Sequence, residues 1–375
     1  MKITGIVSEY NPFHSGHKYQ ISQISADAVV SIMSGSFVER GDTAIADKWT
    51  RAELAIRGGV DLVIEMPVVF ALNTAQKFAL GAVSLMDSMG IDEICFGSEC
   101  GDIEALKNAA CLIENEPQSV SEKIKKLVSD GMSYPSAREK AYSGLISENI
   151  LSSPNNILAV EYLRAIMRLK SKITAVAVKR AGAGYNEIEA NGEIASAAAI
   201  RQMIRDGRDV SQYTDFKGKM NDLSKLDSAV TAVLRTISRN KLAMINEVGE
   251  GLENRIIKAA AQYDTIDEIA ETVKTKRYTM SRIRRILIAS LLNLTADLSM
   301  IMPDYIRVLA MNKNGMAALR EIKDRTSLPI ITKTADYTGN SLLFQKDILA
   351  TDIAALTESK NRQGGRDFTT SPIIF

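Results

Sequence analysis

A chain of 375 residues exceeds the usual span of one domain, so its length predicts two cores. Its 46 lysines and arginines against 45 aspartates and glutamates leave a net charge of +1, which excludes a polyelectrolyte tail and confines any nucleic-acid surface to a local patch. Three cysteines and no charged leader ahead of an apolar run predict reduced thiols in a cytoplasmic protein, and the longest apolar stretch, Leu62 to Leu72, is interrupted by Glu65 and Pro67 and too short to cross a bilayer.

The first predicted strand, "ITGIV" from Ile3, runs into the turn "NPFHSGH", with a helix expected from about His17. This turn holds both of the chain's histidines, His14 and His17. At a helix amino terminus, free N–H groups and the helix dipole attract phosphate, and imidazole N–H donors add to the attraction. Two alternatives stand beside this reading: incidental polar surface, and zinc held with Cys95 and Cys100, whose spacing is wider than a usual knuckle.

Four more β-branched runs follow, "AVVSIM", "VDLVIEM", "EICFG" and "ITAVAV", each ahead of a helical segment. The rhythm predicts an α/β fold with a Rossmann-like, doubly wound parallel sheet whose ligands bind beyond the strands' carboxyl ends. Lys48 and Arg51 are expected to face that same edge. Gly97 closes one strand, Asn155 and Asn156 open a helix, and Arg180 follows the last strand; from the residues alone these read as a turn and helix caps. Ser196 and Arg201 in "IASAAAIRQMI" match the hydroxyl and guanidinium that meet β- and γ-phosphates in nucleotidyltransferases of the HxGH type.

Polar and glycine residues accumulate over 206–225, which places a boundary between a sheet-forming unit, 1–210, and a mainly helical unit, 211–375. Helical periodicity continues to about residue 300, followed by a small strand–helix–strand insert, a final helix and the tail "SPIIF". In "SRIRRILIASLLNL" the apolar Ile283, Leu287, Leu291 and Leu294 leave Arg282 and Arg285 on the opposite, solvent-facing side, with Lys276 and Arg277 just upstream.

Taken in order, "GIVSEYNPFHSGH", "MSGSFVERGD", "DKWTRAELAIRGGVDLVIEMP", "FGSECGD", "SPNNILAVEYL", "RAGAGYNE", "IASAAAIR", "RYTMSRIRRILIASLLNL" and "TTSPIIF" resemble the bacterial tRNA(Met) cytidine acetate ligases over nearly the whole chain. The resemblance implies activation of acetate by ATP, with Mg2+, to acetyl-adenylate, then acetyl transfer to N4 of the wobble cytidine of elongator tRNA(Met). It also implies the ATP site: Val7, Ser8, Glu9, Tyr10, Asn11, Pro12, Phe13, His14, Ser15, Gly16, His17, Lys18, Tyr19 and Gln20, then Gly97, Asn155 or Asn156, and Arg180. His14, His17, Ser196 and Arg201 would be catalytic, and Arg277, Arg282 and Arg285 would contact RNA phosphates. No metal ligand, membrane contact or obligate protein partner is expected. Ala198 and Ala199 depart from the pattern, because relatives carry hydroxyls there. The competing readings are a small-molecule adenylyltransferase of the HxGH class and a nucleotide-binding, RNA-associated protein without catalysis.

Overall fold

The computed structural model describes residues 1–180 and 195–375. Within them the strands are β1 (Ile3–Ser8), β2 (Ala28–Ser34), β3 (Phe37–Val38), β4 (Asp42–Thr43), β5 (Leu62–Met66), β6 (Glu93–Ser98), β7 (Thr174–Lys179), β8 (Ile306–Met311), β9 (Ile330–Ile331) and β10 (Ile373–Ile374). The main sheet runs β10-β8-β5-β2-β1-β6-β7, with β9 also on β8, while β3 and β4 form a separate antiparallel pair. Five strands, β5-β2-β1-β6-β7, are parallel, as the repeated strand and helix pattern predicts.

Both faces of this sheet are covered, which explains why its strands are apolar throughout. Alternation along β2 sends Val30 and Ile32 into one core cluster and Val29 and Met33 into the other. The helices Asp227–Thr236, Leu252–Gln262, Ile266–Val273 and Met280–Leu292 contribute Val230, Ile256, Ile269 and Leu287 to the same cluster as Val30. The helical half therefore shares the sheet's core.

One expected feature is corrected here. The strand–helix–strand segment is not an insert within the helical half: β8 pairs antiparallel with β5, and β9 and β10 pair parallel with β8, so the chain returns to complete the sheet. Sequence periodicity reports that a segment is a strand, but the partner it finds is a long-range choice. The terminal "SPIIF" is likewise part of the sheet through Ile373 and Ile374.

Strand order reverses at β1, since β2 and β5 lie to one side and β6 and β7 to the other. Pairing of β1 with β2 continues to Ser8 and Met33, whereas pairing with β6 stops at Gly5 and Ile94. Beyond that point β1 and β6 part, and the crevice of a topological switch point opens at their carboxyl ends. Gln20 spans the parting by donating its side-chain Nε2 to the Cys95 carbonyl at 3.1 Å.

Candidate active site

The helix Ser15–Ser22 begins in this crevice, and its amino-terminal cap is His14. His14 Nδ1 accepts the Gly16 N–H at 3.0 Å, and His17 Nδ1 accepts the His14 N–H at 3.1 Å. The two histidines thus form a reciprocal capping box, the arrangement in which two orphan backbone donors are satisfied at once. A backbone N–H can only donate, so each Nδ1 must be an unprotonated acceptor and each ring keeps its proton on Nε2. The spacing H-x-x-H is what puts cap and N3 position together.

The rings stack at 3.9 Å, and Tyr10 and Phe13 close around His17 at 4.9 and 5.4 Å between ring centres. Burial, with Arg180 and Arg201 nearby, lowers His14 to about 3; burial, with His14 and Arg180 nearby, pushes His17 well below the usual imidazole value. Both are neutral Nε2–H donors at neutral pH, flanked by two guanidinium groups. That combination offers donors and positive charge to an anion without itself titrating near neutral pH.

Backbone partners fix the loop. Thr214 Oγ1 donates to the Phe13 carbonyl at 2.6 Å, the Ser15 N–H donates to the Tyr213 carbonyl at 2.9 Å, and Ile45 N–H donates to Asn11 Oδ1 at 2.7 Å. Arg201 Nη1 donates to the Asn11 carbonyl at 2.6 Å, which brings the helix Ala197–Arg205 against the histidine loop. Ser196 caps that helix by accepting the Ala199 N–H at 3.1 Å. Ala199 is packed in an apolar cluster with Ile200 and Met203, so a hydroxyl there would be buried, whereas Ala198 is exposed.

Of the segment Val7 to Gln20, several residues serve the fold. Tyr10 and Phe13 are core residues, and Ser8 bonds Ser31 between their hydroxyls at 2.8 Å. Phe13 fills the space above Gly58, where an added Cβ would collide with the ring. Pro12 is buried, Val7 and Gly16 half-buried, and Lys18 and Tyr19 exposed, with Lys18 paired to Asp215 at 3.0 Å. Glu9 is half-buried at the end of β1; its carboxyl accepts the Glu39 N–H at 2.7 Å, and burial raises it to about 7.

Gly97 and Arg180 lie on the β6 and β7 side of the crevice. A Cβ at Gly97 would meet only the Arg180 side chain, at 3.5 Å or more, so neither packing nor backbone conformation demands glycine there. Asn155 binds the Glu99 carboxylate through Nδ2 at 2.7 Å and receives Arg180 Nη1 at 3.5 Å. Asn156 is different: it is buried, and its Oδ1 accepts from Ser98 Oγ, Glu99 N–H and Cys100 N–H, holding the loop after β6. The "AGAGYNE" stretch that follows Arg180 lies outside the described residues.

Two expectations are corrected. Lys48 and Arg51 do not face the open edge: both are fully buried. Lys48 pairs with Glu65 at 2.8 Å and Asp367 at 2.9 Å, and Arg51 donates to the carbonyls of Glu9, Ser34, Gly35 and Ala46. Arg285 is not solvent-facing either. It is 5% exposed and bound to Glu247 and Glu39, because the helix Met280–Leu292 is covered by the β3–β4 hairpin as well as by the bundle. Arg282 donates to the Glu247 carbonyl at 2.8 Å, and Arg277 pairs with Glu250 at 3.0 Å; both arginines are half-buried. Sequence reasoning missed Glu39 and the Tyr213–Thr214 strap; Glu39 sits in the quoted "VERGD", but nothing local signals that it reaches Glu9.

Among the described residues no group of three or more His, Cys, Asp or Glu is placed to hold a metal ion. Cys95 is buried in β6, Cys100 is half-buried and Cys111 exposed. None of the described helices is long and apolar enough to cross a membrane.

The HIGH Nucleotidyl Transferase family matches residues 1–367. A Thermoanaerobacter protein named tRNA(Met) cytidine acetate ligase is 41% identical, with 98% of both chains covered, and a Clostridium perfringens protein of the same name is 38% identical over 100% of both. The chain belongs to the tRNA(Met) cytidine acetate ligase family. A solved structure agrees in three dimensions: Thermotoga maritima TmcAL superposes with a TM-score of 0.91 at 31% identity, covering 100% of each chain, and a second crystal form of the same protein, TM-score 0.90, is bound with alpha-thio ATP.

Proposed function

We propose that this chain is an ATP-dependent acetate ligase that acetylates N4 of the wobble cytidine of elongator tRNA(Met). The observation that carries it is the pair of neutral Nε2–H imidazoles at a helix amino terminus, flanked by Arg180 and Arg201, in a chain of this family. In the first step an acetate oxygen attacks the α-phosphorus of ATP, the bond to the bridging oxygen breaks, and pyrophosphate leaves with the electron pair. Nε2–H of His14 and His17, the helix N-terminus, Ser196 and Arg201 would stabilise the charge that builds on the phosphates. Gly97 would let the adenosine approach closely, with Asn155 and Arg180 beside it. Asn156 would act through the loop it holds.

In the second step the cytidine amine attacks the acetyl carbonyl, AMP departs and a proton is released. Lys276, Arg277 and Arg282 would offer a local basic surface for RNA phosphates. Mg2+ would ride on the ATP phosphates, since this ion is commonly bound by substrate phosphate with few protein ligands, and the described residues offer no cage for it.

The test is incubation with ATP, labelled acetate and bulk bacterial tRNA, followed by nucleoside analysis. Label in cytidine, with pyrophosphate exchange that depends on acetate, is expected. Exchange driven instead by a nucleotide or phosphopantetheine would make the chain a small-molecule adenylyltransferase.

A further inference from the structure

On the ligase reading given above, we propose that Arg285 is a positioning residue for adenylation, tying the helical half to the sheet-edge site through Glu39. Its guanidinium works in two directions. Nε and Nη2 donate to the two carboxylate oxygens of Glu247 at 2.5 and 2.8 Å, while Nη1 donates to the Glu39 carbonyl at 3.0 Å and to the Glu39 carboxylate at 3.1 Å. Glu39 in turn donates its N–H to Glu9 at 2.7 Å, and the Glu9 carbonyl accepts Arg51 Nη1 at 2.7 Å. An unbroken chain of contacts therefore runs from Glu247 to the end of β1, the strand that leads into the histidine loop.

Two further features make this link specific. At Gly41 (φ +72°) an added Cβ would lie 2.5 Å from the Arg285 backbone nitrogen and 2.7 Å from the Arg284 carbonyl carbon, so the hairpin's backbone rests directly on the helix. Glu247 adopts a left-handed φ of 63°, unusual for a residue with a side chain, and is held there by Arg282 at its carbonyl and Arg285 at its carboxylate. With both ends of Glu39 fixed, its N–H is aimed at Glu9, which lies beside Arg201 and so beside the group that grips the Asn11 carbonyl. Only a planar fork reaches Glu247 and Glu39 together; an ammonium is a single point of charge. Because Arg285 is buried on all sides, RNA phosphate has no approach to it.

Arg285→Lys and Glu39→Gln, made in the full chain, separate this role from others. Acetate-dependent pyrophosphate exchange, tRNA affinity and thermal unfolding are measured for each. Arg285→Lys should lower the kcat of exchange by about 10- to 100-fold, the cost of a small misplacement. Its KM for ATP should stay within about twofold, since binding groups are untouched, and tRNA affinity should be retained. Glu39→Gln leaves the Arg285–Glu247 pair intact and should lower kcat in the same direction by a smaller factor. Normal exchange with weakened tRNA binding would make Arg285 an RNA contact, and normal exchange with normal tRNA binding would make it packing alone; either overturns the proposal. If Arg285→Lys does not fold, a folded Glu39→Gln with unchanged exchange overturns it. A parent chain without acetate-stimulated exchange would overturn the ligase reading and this proposal with it, a result distinct from an active parent matched by active variants.

Discussion

On the proposed reading His14 does two jobs with different nitrogens: Nδ1 caps the start of a helix and Nε2 carries the proton offered to a ligand. The jobs can be parted, because asparagine is as good a helix cap as any residue and has no imidazole. His14→Asn should slow acetate-dependent exchange by about 10², the order found when one preorganised donor is lost, with the unfolding midpoint almost unchanged. His14→Ala should lose as much exchange and about 1 kcal/mol of stability besides. Full exchange by His14→Asn would reduce His14 to a cap. Glu9 calls for a pH experiment. Burial, opposed by the Glu39 N–H and joined by the Glu39 charge, raises its carboxyl from 4.5 to about 7, with Arg201 and Arg51 facing it. The folded state then binds the proton more tightly than the unfolded one, so this group's contribution to stability is full below pH 4.5 and is lost as pH rises through about 7. Glu9→Gln, which cannot ionise, should gain on the parent between those limits. Urea midpoints at about pH 5 and about pH 8 would show it, and an equal gap at both would refute it.

Among the elements, the strands that part are the ones to which the ATP site is assigned by proposal. β6 and β7 stay paired from Glu93 with Thr174 to Ser98 with Lys179, which delivers Gly97 and Arg180 side by side to the crevice that β1 leaves open. Gly97 has room for a Cβ in the free protein, so Gly97→Val should fold normally yet raise the ATP concentration needed for exchange. Arg180→Ala should weaken nucleotide binding and leave tRNA binding alone. Calorimetry with ATP decides both, and unchanged affinity in the two variants would remove them from the ATP site. The existence of the five parallel strands and the helix after "NPFHSGH" were legible from period and turn residues alone; the order of the strands in the sheet was not. The two-residue strands β3 and β4 were not, because a pair that short has no periodicity to read.

At the scale of the whole molecule, the last residues lock the sheet. Asp367, in the short helix Arg366–Thr369, pairs with Lys48 at 2.9 Å and faces Arg307 at 3.6 Å, all three buried. Burial alone would raise the Asp367 carboxyl, but the Lys48 and Arg307 charges hold it below its ordinary value. Its stabilisation is therefore present above the unfolded carboxylate pKa and lost as pH falls through the lower folded value. Asp367→Asn leaves two cations short of a partner and should cost about 3–5 kcal/mol, the range for breaking a buried pair. Denaturant unfolding at neutral pH measures it, and a loss under about 1 kcal/mol, the worth of an exposed pair, would show the cluster to be solvated.

What the sequence determined by itself was local: five apolar strands each followed by a helix, a turn with H-x-x-H after the first, and an arginine and serine at a later helix start. Those features need only period, turn chemistry and capping, which neighbours along the chain decide. Tertiary structure alone decided where the charges went. Lys48, Arg51 and Arg285 look like solvated helix residues because partners that bury them, Asp367, Glu9 and Glu39, lie 319, 42 and 246 residues away. It also decided that β8, β9 and β10 join the first sheet, since a strand pairs with whichever strand it meets in space. Burial of a charge is set by the partners that compensate it, and the distant ones among them lie outside any local window of sequence.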